Sequence, residues 1–215
     1  MVDFQSRDTR RDGDDGDEES EPTAAADDGA GSPDSDAADG HDHGQADDAH
    51  DHHAHDVESL GAAVVTVSSS RSLSDDPSGD AVVAGLEDAG HRVVSRDLIA
   101  DSYDGVQSSI DGLVSRDDVD VVVTTGGTGV TPDDVTIEAI QQLFDKELPG
   151  FGELFRLLSH DEIGTRVVGT RATAGVVDGV VVFCLPGSES AARLGVEEII
   201  VEEAGHLAGL ASRGE

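Results

Sequence analysis

The sequence is poor in cysteine, has no tryptophan and contains no long hydrophobic run. Its single cysteine, Cys184, excludes an internal disulfide and fits a reducing cytoplasm. No segment approaches the ~18 consecutive apolar residues of a membrane-spanning helix, and the N-terminus lacks the apolar stretch of a signal peptide. These features predict a cytoplasmic protein with no membrane partner.

Positive charge is also scarce. The 215 residues include 13 lysines and arginines against 47 aspartates and glutamates, a formal net charge of −34. A strongly negative field repels phosphate backbones, so we expect no nucleic-acid partner. The excess acid favours a salt-adapted, halophilic protein whose charged surface keeps it hydrated and soluble.

The composition changes near residue 58. Residues 1–58 are mostly Asp, Ala, Gly, Ser and His, with Phe4 as the one aromatic residue. Such a segment cannot bury enough apolar surface to offset the entropy of ordering it, so we predict a disordered acidic tail. The folded domain is predicted at 59–215.

Histidines interleaved with aspartates cluster within this tail, at His41, His43, His50, His52, His53 and His55. Imidazole and carboxylate groups bind transition metals, so the cluster is a possible metal-binding segment. Structural metal sites, however, need fixed spacing on ordered elements. A solvated tail without a specific metal site is therefore the favoured interpretation.

From residue 59, apolar runs of strand length alternate with segments of helical spacing. We predict strands at Ala62–Val67, Arg92–Ile99 and Asp120–Thr125, and helices at Ser78–Ala89, Val106–Val114 and Asp133–Phe144. This alternation indicates βαβ units, and hence an α/β fold with three layers: a mostly parallel sheet with helices on both faces.

The C-terminal part of the domain has a different pattern. Arg166–Thr173 and Gly179–Leu185 are rich in β-forming residues, with a turn predicted at Gly175–Asp178 between them. A final helix is predicted from about Ser188 to Leu207.

Three polar or glycine-rich segments follow predicted strands. In open parallel sheets, ligands bind beyond the carboxyl ends of the strands, so these segments are candidates for one crevice. They are Ser68, Ser69, Ser70 and Arg71; Thr124, Thr125, Gly126, Gly127, Thr128 and Gly129; and Pro186, Gly187 and Ser188.

The glycine-rich loop Gly126–Gly129 favours anion binding, because its backbone N–H groups can approach a phosphate without interference from side chains. It matches neither a Walker A loop nor a GxGxxG dinucleotide loop, and a tight turn without a ligand is an equal alternative for the loop alone.

Two acids near this loop add weight to a nucleotide site. Asp101 follows the second strand and Asp134 lies five residues beyond the loop. Carboxylates beside a phosphate-binding loop are suitable ligands for Mg²⁺, which neutralises phosphate charge. The alternative for each is a helix N-cap or a surface acid of a salt-adapted protein.

Longer motifs in the sequence resemble the MogA/MoaB family of molybdenum-cofactor biosynthesis proteins. The resemblance covers about residues 61–210, and residues 76–79 (DPSG) are similar to the family's Asp-x-Ser-Gly. Its main motifs are TTGGTGVTPDDVT (124–136), PGFGELFRLLSHDEIGT (149–165), RATAG (171–175) and LPGS (185–188).

The resemblance implies molybdopterin adenylyltransferase activity, in which the terminal phosphate of molybdopterin attacks the α-phosphorus of ATP and pyrophosphate leaves. It assigns the family's two important acids to Asp101 and Asp134, with Mg²⁺, and its pterin-side serine to Ser159. It also implies a homo-oligomer, a trimer or hexamer, that passes its product to a metal-insertion protein.

Two alternatives remain from the sequence. A catalytically silent molybdopterin carrier could use the same loops without nucleotide turnover. The TPDD stretch at 131–134 is also similar to CinA-type nucleotide pyrophosphatases, although the PGFGELFRLLS block argues against that class.

Overall fold

The computed structural model describes residues 56–212, and these contain one six-stranded sheet in the order β2-β1-β3-β6-β5-β4. Five strands run in one direction, and β5 pairs antiparallel with both of its neighbours. The strands are β1 (Gly61–Val67), β2 (Arg92–Ile99), β3 (Val121–Thr125), β4 (Lys146–Glu147), β5 (Thr173–Val177) and β6 (Val180–Leu185).

The three central strands β1, β3 and β6 are buried along their whole length. Their continuous apolar sequences suit strands that are covered on both faces, as parallel strands are. In β2, at the edge, the side chains are exposed or half-buried, and its sequence is correspondingly more polar.

Helices cover both faces of the sheet and form two separate cores. Helices α1, α4, α5 and α6 pack on one face, and α2 and α3 on the other. This arrangement confirms the predicted three-layer α/β fold. The helices are α1 (Pro77–Asp88), α2 (Tyr103–Val114), α3 (Thr136–Gln141), α4 (Pro149–Ile163), α5 (Glu189–Gly195) and α6 (Val201–Ala211). No helix among residues 56–212 is long and apolar enough to cross a membrane.

The helix predicted at Asp133–Phe144 is shorter than expected. Helix α3 spans Thr136–Gln141, because Asp134 accepts hydrogen bonds from Thr131 and holds the preceding residues in a turn. Within α3, Ile137 and Ile140 are buried in the core.

The prediction for Arg166–Thr173 was wrong. Gly164–Gly169 form a 3₁₀ helix, closed by a hydrogen bond from Thr170 N to Val167 O, and the strand begins only at Thr173. The hairpin turn lies at Asp178–Gly179 instead of Gly175–Asp178. Both of these turn residues have positive φ, as two-residue hairpin turns of type I′ require.

The final helix is interrupted and ends later than predicted. A π-helical segment, Val196–Ile200, separates α5 from α6, and α6 continues to Ala211. Helix α4 contains the motif PGFGELFRLLSHDEI and buries Phe151 and Phe155 against the sheet.

The described residues begin inside the predicted tail. Val57 N donates to Gly205 O at 3.1 Å, and Asp56 contacts His206 on α6 at 2.9 Å. Contacts with the domain therefore start ahead of the boundary predicted at residue 58. The six tail histidines lie outside the described residues.

Candidate functional site

The loops after β1, β3 and β6 meet at one edge of the sheet, because these strands are parallel neighbours. Gly126 N donates to Leu185 O at 3.1 Å, and Thr125 Oγ1 donates to Pro186 O at 2.9 Å. Ser68 N similarly donates to Ile99 O, which joins the loop after β1 to the end of β2. The structure thus brings together the three segments predicted from the sequence.

The glycine-rich loop requires its glycines. Gly126 and Gly127 have φ of +98° and +62°, a region that favours glycine. A Cβ on Gly126 would lie 2.2 Å from Val67 O, and one on Gly127 would lie 2.2 Å from Thr136 Oγ1. The loop therefore packs directly on β1 and α3, and any side chain at these two positions would displace it.

Two cavities flank the loop and share Gly126, Gly127 and Gly187 as walls. The first, of about 340 Å³, will be called the serine-side cavity; its other lining residues are Val67, Ser68, Ser69, Ser70, Arg71 and Asp101. The second, of about 280 Å³, will be called the threonine-side cavity; its other lining residues are Thr128, Gly129, Asp134, Gly169, Thr170 and Pro186.

Asp101 is held by the loop after β1. Its Oδ2 accepts hydrogen bonds from Ser69 N at 2.7 Å and Ser69 Oγ at 2.8 Å. Its Oδ1 lies 3.3 Å from the position that a Cβ on Gly127 would occupy. Ser102 caps α2, so the N-cap alternative for Asp101 is wrong.

Asp134 lies on the other side of the loop, in the threonine-side cavity. Hydrogen bonds from the Thr131 hydroxyl (2.6 Å) and the Thr131 backbone N–H (2.9 Å) reach its Oδ2 and lower its pKa. The group is therefore a carboxylate at neutral pH. The N-cap position of α3 is Val135, with no side-chain cap, so Asp134 does not cap the helix either.

Arg171, the first residue of the RATAG motif, has a role that the sequence pattern did not indicate. Its guanidinium donates to Thr128 O at 3.2 Å and to Asp134 O at 3.3 Å, and it forms an ion pair with Glu138. It thereby ties the glycine-rich loop to the turn that carries Asp134. The hydrogen bond from Arg171 also lowers the pKa of Glu138.

Asp76 organises the region behind the serine-side cavity. It is fully buried, caps α1 through Gly79 N, and accepts a 2.6 Å hydrogen bond from Thr66 Oγ1. Burial acts to raise its pKa, but the hydrogen bonds from Thr66, Gly79, Arg96 and Ser78 together outweigh it and leave the pKa lowered. The buried group is therefore an ion that positions the surrounding loops.

Four predicted residues do not line the cavities, and one of them, Thr124, is fully buried in β3. Ser159 shares the buried face of α4 with Phe151 and Phe155, at spacings of four and eight residues, so the structure does not bring it to the crevice. Ser188 caps α5 by accepting a hydrogen bond from Ala191 N. Thr125 is fully buried and supports the crevice through Pro186.

A larger cavity, of about 460 Å³, lies at the opposite edge of the sheet. Its lining includes Val119 and Asp120, just before β3, and Val180 at the start of β6. Ligands of parallel sheets bind at the carboxyl edge, where the glycine-rich loop and the two carboxylates lie. The serine-side and threonine-side cavities are therefore the candidate site.

The fold and site define an α/β protein with a glycine-rich crevice, flanked by two carboxylates, at the carboxyl edge of its sheet. A family model described as "Probable molybdopterin binding domain" matches residues 63–206. The chain belongs to this family of molybdenum-cofactor biosynthesis proteins.

The names of similar proteins agree with this assignment. The chain is 43% identical over 145 residues to molybdenum cofactor biosynthesis protein B of Bacillus subtilis, which covers 67% of this chain and 85% of that protein. It is 41% identical over 141 residues to the protein of the same name from Escherichia coli K12, covering 66% and 83% of the two chains. The crystal structure of the tungsten cofactor synthesizing protein MoaB from Pyrococcus furiosus aligns with a TM-score of 0.65 and 40% identity, over 73% of this chain and 99% of that one.

Proposed function

We propose that the protein is a molybdopterin adenylyltransferase. An oxygen of the terminal phosphate of molybdopterin attacks the α-phosphorus of ATP, the bond from that phosphorus to the α,β-bridging oxygen breaks, and pyrophosphate leaves. The observation that carries the proposal is the placement of Asp101 and Asp134 on opposite sides of one glycine-rich loop. The molybdenum-cofactor names of the relatives support the choice of pterin substrate.

The two adjoining cavities suit a reaction between two phosphorylated substrates. Gly126, Gly127 and Gly187 wall both cavities, so groups bound on either side would meet across a side-chain-free segment. Backbone N–H groups in a positive-φ loop favour phosphate oxygens. The loop can therefore position an attacking phosphate against an α-phosphate, and positioning alone contributes about 7–11 kcal/mol in well-oriented reactions.

Asp101 and Asp134 fit Mg²⁺, which in phosphoryl-transfer sites binds one or two carboxylates together with substrate phosphates and water. Asp101 leaves Oδ1 free of the Ser69 bonds, and Asp134 is ionised at neutral pH. Residues 56–212 hold no group of three or more His, Cys, Asp or Glu side chains that could bind a metal by themselves. Substrate phosphates would therefore complete the coordination, and the ion would neutralise charge on them.

Two other residues of the site hold the loop and the carboxylates in position. Arg171 holds Thr128 and Asp134 in place, and Ser69 orients Asp101. These contacts fix the carboxylates before substrate arrives, which is what electrostatic preorganisation requires.

As part of the same proposal, the protein is a cytoplasmic homo-oligomer, a trimer or hexamer, that delivers its product to a metal-insertion protein.

In the presence of Mg²⁺, purified protein should convert molybdopterin and ATP into an adenylylated pterin and pyrophosphate, and anaerobic chromatography separates these products. Asp134→Asn should retain pterin binding and lose most turnover, because an amide is a poorer ligand for a hard cation. Asp133→Asn is the matched control, since it removes the same charge one residue away from the cavity lining.

Pterin binding without pyrophosphate release would identify a carrier instead. Cleavage of ADP-ribose in the absence of pterin would identify a nucleotide pyrophosphatase. Wild-type turnover by Asp134→Asn would contradict the metal role of that carboxylate.

A further inference from the structure

A phosphate group faces an electrostatic barrier at this crevice. The chain carries a formal charge of −34, and both cavities are lined by a carboxylate, Asp101 or Asp134. Among residues 56–212, Arg71 is the one positively charged residue that lines either cavity. It lies on the loop after β1, beside the serine hydroxyls.

Arg71 differs from other arginines of the domain in its hydrogen-bond partners. Its Nη1 donates to Ser78 Oγ at 2.6 Å and its Nη2 donates to Gly187 O at 2.8 Å, and both acceptors are neutral. By contrast, carboxylates accept hydrogen bonds directly from Arg96, Arg116, Arg171 and Arg193.

Asp76 is the carboxylate nearest to Arg71, but the contact is long. The distance from Arg71 Nη1 to Asp76 Oδ1 is 3.6 Å, beyond hydrogen-bond range. Closer donors already occupy Asp76, including Thr66 Oγ1 at 2.6 Å and Arg96 Nη2 at 3.2 Å. Arg71 therefore forms a long ion pair with Asp76 without a hydrogen bond between them, and neutral groups accept the two hydrogen bonds that orient its guanidinium.

The geometry points to Arg71 as a phosphate ligand in the serine-side cavity, an inference that rests on the proposed function. A guanidinium has five N–H donors in a planar fork, and the bonds to Ser78 and Gly187 use two of them. The side chain is 31% exposed, so the remaining donors can reach a ligand. A planar fork binds phosphate oxygens in pairs, and the hydroxyls of Ser68 and Ser70 lie on the same loop.

The phosphate could belong to either substrate, the pterin or ATP, and binding measurements distinguish them. Dissociation constants for molybdopterin and for Mg²⁺–ATP would be measured separately by anaerobic titration calorimetry at one KCl concentration. The variants are Arg71→Gln and Arg96→Gln. Both remove a cation that contacts Asp76, but Arg96 lines neither cavity.

Arg71→Gln should weaken binding of at least one substrate by about 10- to 100-fold, the range expected for loss of a charge-assisted hydrogen bond. Arg96→Gln should bind both substrates within about twofold of wild type. The substrate that is affected identifies the source of the phosphate. Affinities of Arg71→Gln that match those of Arg96→Gln for both substrates would overturn the inference.

Arg71→Lys and Arg96→Lys provide a second pair if either glutamine variant fails to fold. Lysine keeps the positive charge but lacks the planar fork of arginine. Arg71→Lys should therefore bind at least one of the two substrates at least threefold more weakly than Arg96→Lys does. Equal affinities of these two variants would again overturn the inference. The readout is independent of turnover. If the wild-type protein transfers no adenylyl group but the Arg71 variants still bind a substrate more weakly, the proposed function is refuted and the phosphate contact of Arg71 is supported.

Discussion

Replacing Gly127 with alanine tests the packing of the glycine-rich loop. At a φ of +62° an alanine costs about 1–2 kcal/mol of backbone strain. Its Cβ would lie 2.2 Å from Thr136 Oγ1, and forcing a methyl group into a packed site costs about 1–3 kcal/mol more. The sum is roughly 2–5 kcal/mol, which for a domain of this size lowers the melting temperature by roughly 4–20 °C.

Thr136→Ala separates the steric cost from the backbone strain. Thr136 Oγ1 is buried without a hydrogen-bond partner among the described residues, so its removal loses no hydrogen bond. In the double variant the 2.2 Å contact is gone, whereas the strain of Gly127→Ala and the weaker contacts of its Cβ with the Cβ of residue 136 (3.2 Å) and Asp101 Oδ1 (3.3 Å) remain. The two substitutions should therefore be less destabilising together than the sum of the single variants, by about 1–3 kcal/mol.

Gly112→Ala is the matched control, because Gly112 is exposed in α2 and a Cβ there would contact no atom within 4 Å. It should stabilise the helix by about 0.5–1 kcal/mol. Denaturant unfolding at one fixed KCl concentration measures all four variants. Wild-type stability of Gly127→Ala, or strict additivity with Thr136→Ala, would refute the packing described for this loop.

Three further predictions concern the tail, salt and acid. Deleting residues 1–55 should leave the melting temperature and the turnover unchanged. Deleting residues 1–58 should lower the melting temperature, because it also removes the hydrogen bond between Val57 and Gly205. A large effect of the shorter deletion would show instead that the acidic tail docks on the domain. Thermal stability should rise with KCl concentration, steeply at first. Residues 61–215 include 27 acidic and 10 basic residues, and the excess negative charges repel one another. Salt screens this repulsion, because the Debye length falls from ~30 Å at 0.01 M to ~3 Å at 1 M. A flat or falling series would contradict the salt-adapted interpretation. Because the pKa of Asp76 is lowered in the folded state, its ionised form stabilises the fold above the unfolded value of ~3.9, and this contribution is lost as pH falls through the folded pKa. The free energy of unfolding should therefore be measured from pH 7 to pH 2 for wild type and Asp76→Asn. The difference between the two proteins should become smaller below about pH 4. A difference that stays constant over this range would contradict the prediction.

The sheet and the crevice were predictable from local sequence. The apolar run of β3 indicated burial on both faces, and the alternation of strands with helical segments predicted a mostly parallel sheet. The loops after these strands then had to share one edge. Gly126 and Gly127 were identified by the same reasoning, because glycines after a buried strand indicate close backbone approach.

Features that depend on particular side-chain hydrogen bonds or on the burial of a segment were not predictable from the sequence pattern. The delayed start of α3 results from Asp134 holding Thr131, and the 3₁₀ helix at Gly164–Gly169 replaces a strand although its sequence contains two adjacent valines. Val168 is 87% exposed, so its side chain does not pack on a sheet, and such packing is what makes valine favour strands. Arg71 joins Ser78 to Gly187, 116 residues away, and only the fold brings them together.

The most direct test of the central claim is a crystal structure with molybdopterin, Mg²⁺ and a non-hydrolysable ATP analogue. We predict phosphate groups of both ligands beside Gly126–Gly129, with a metal ion bound between them by Asp101 or Asp134. Ligand density in the larger cavity beside Asp120 and Val180, with none at the glycine-rich loop, would contradict the account.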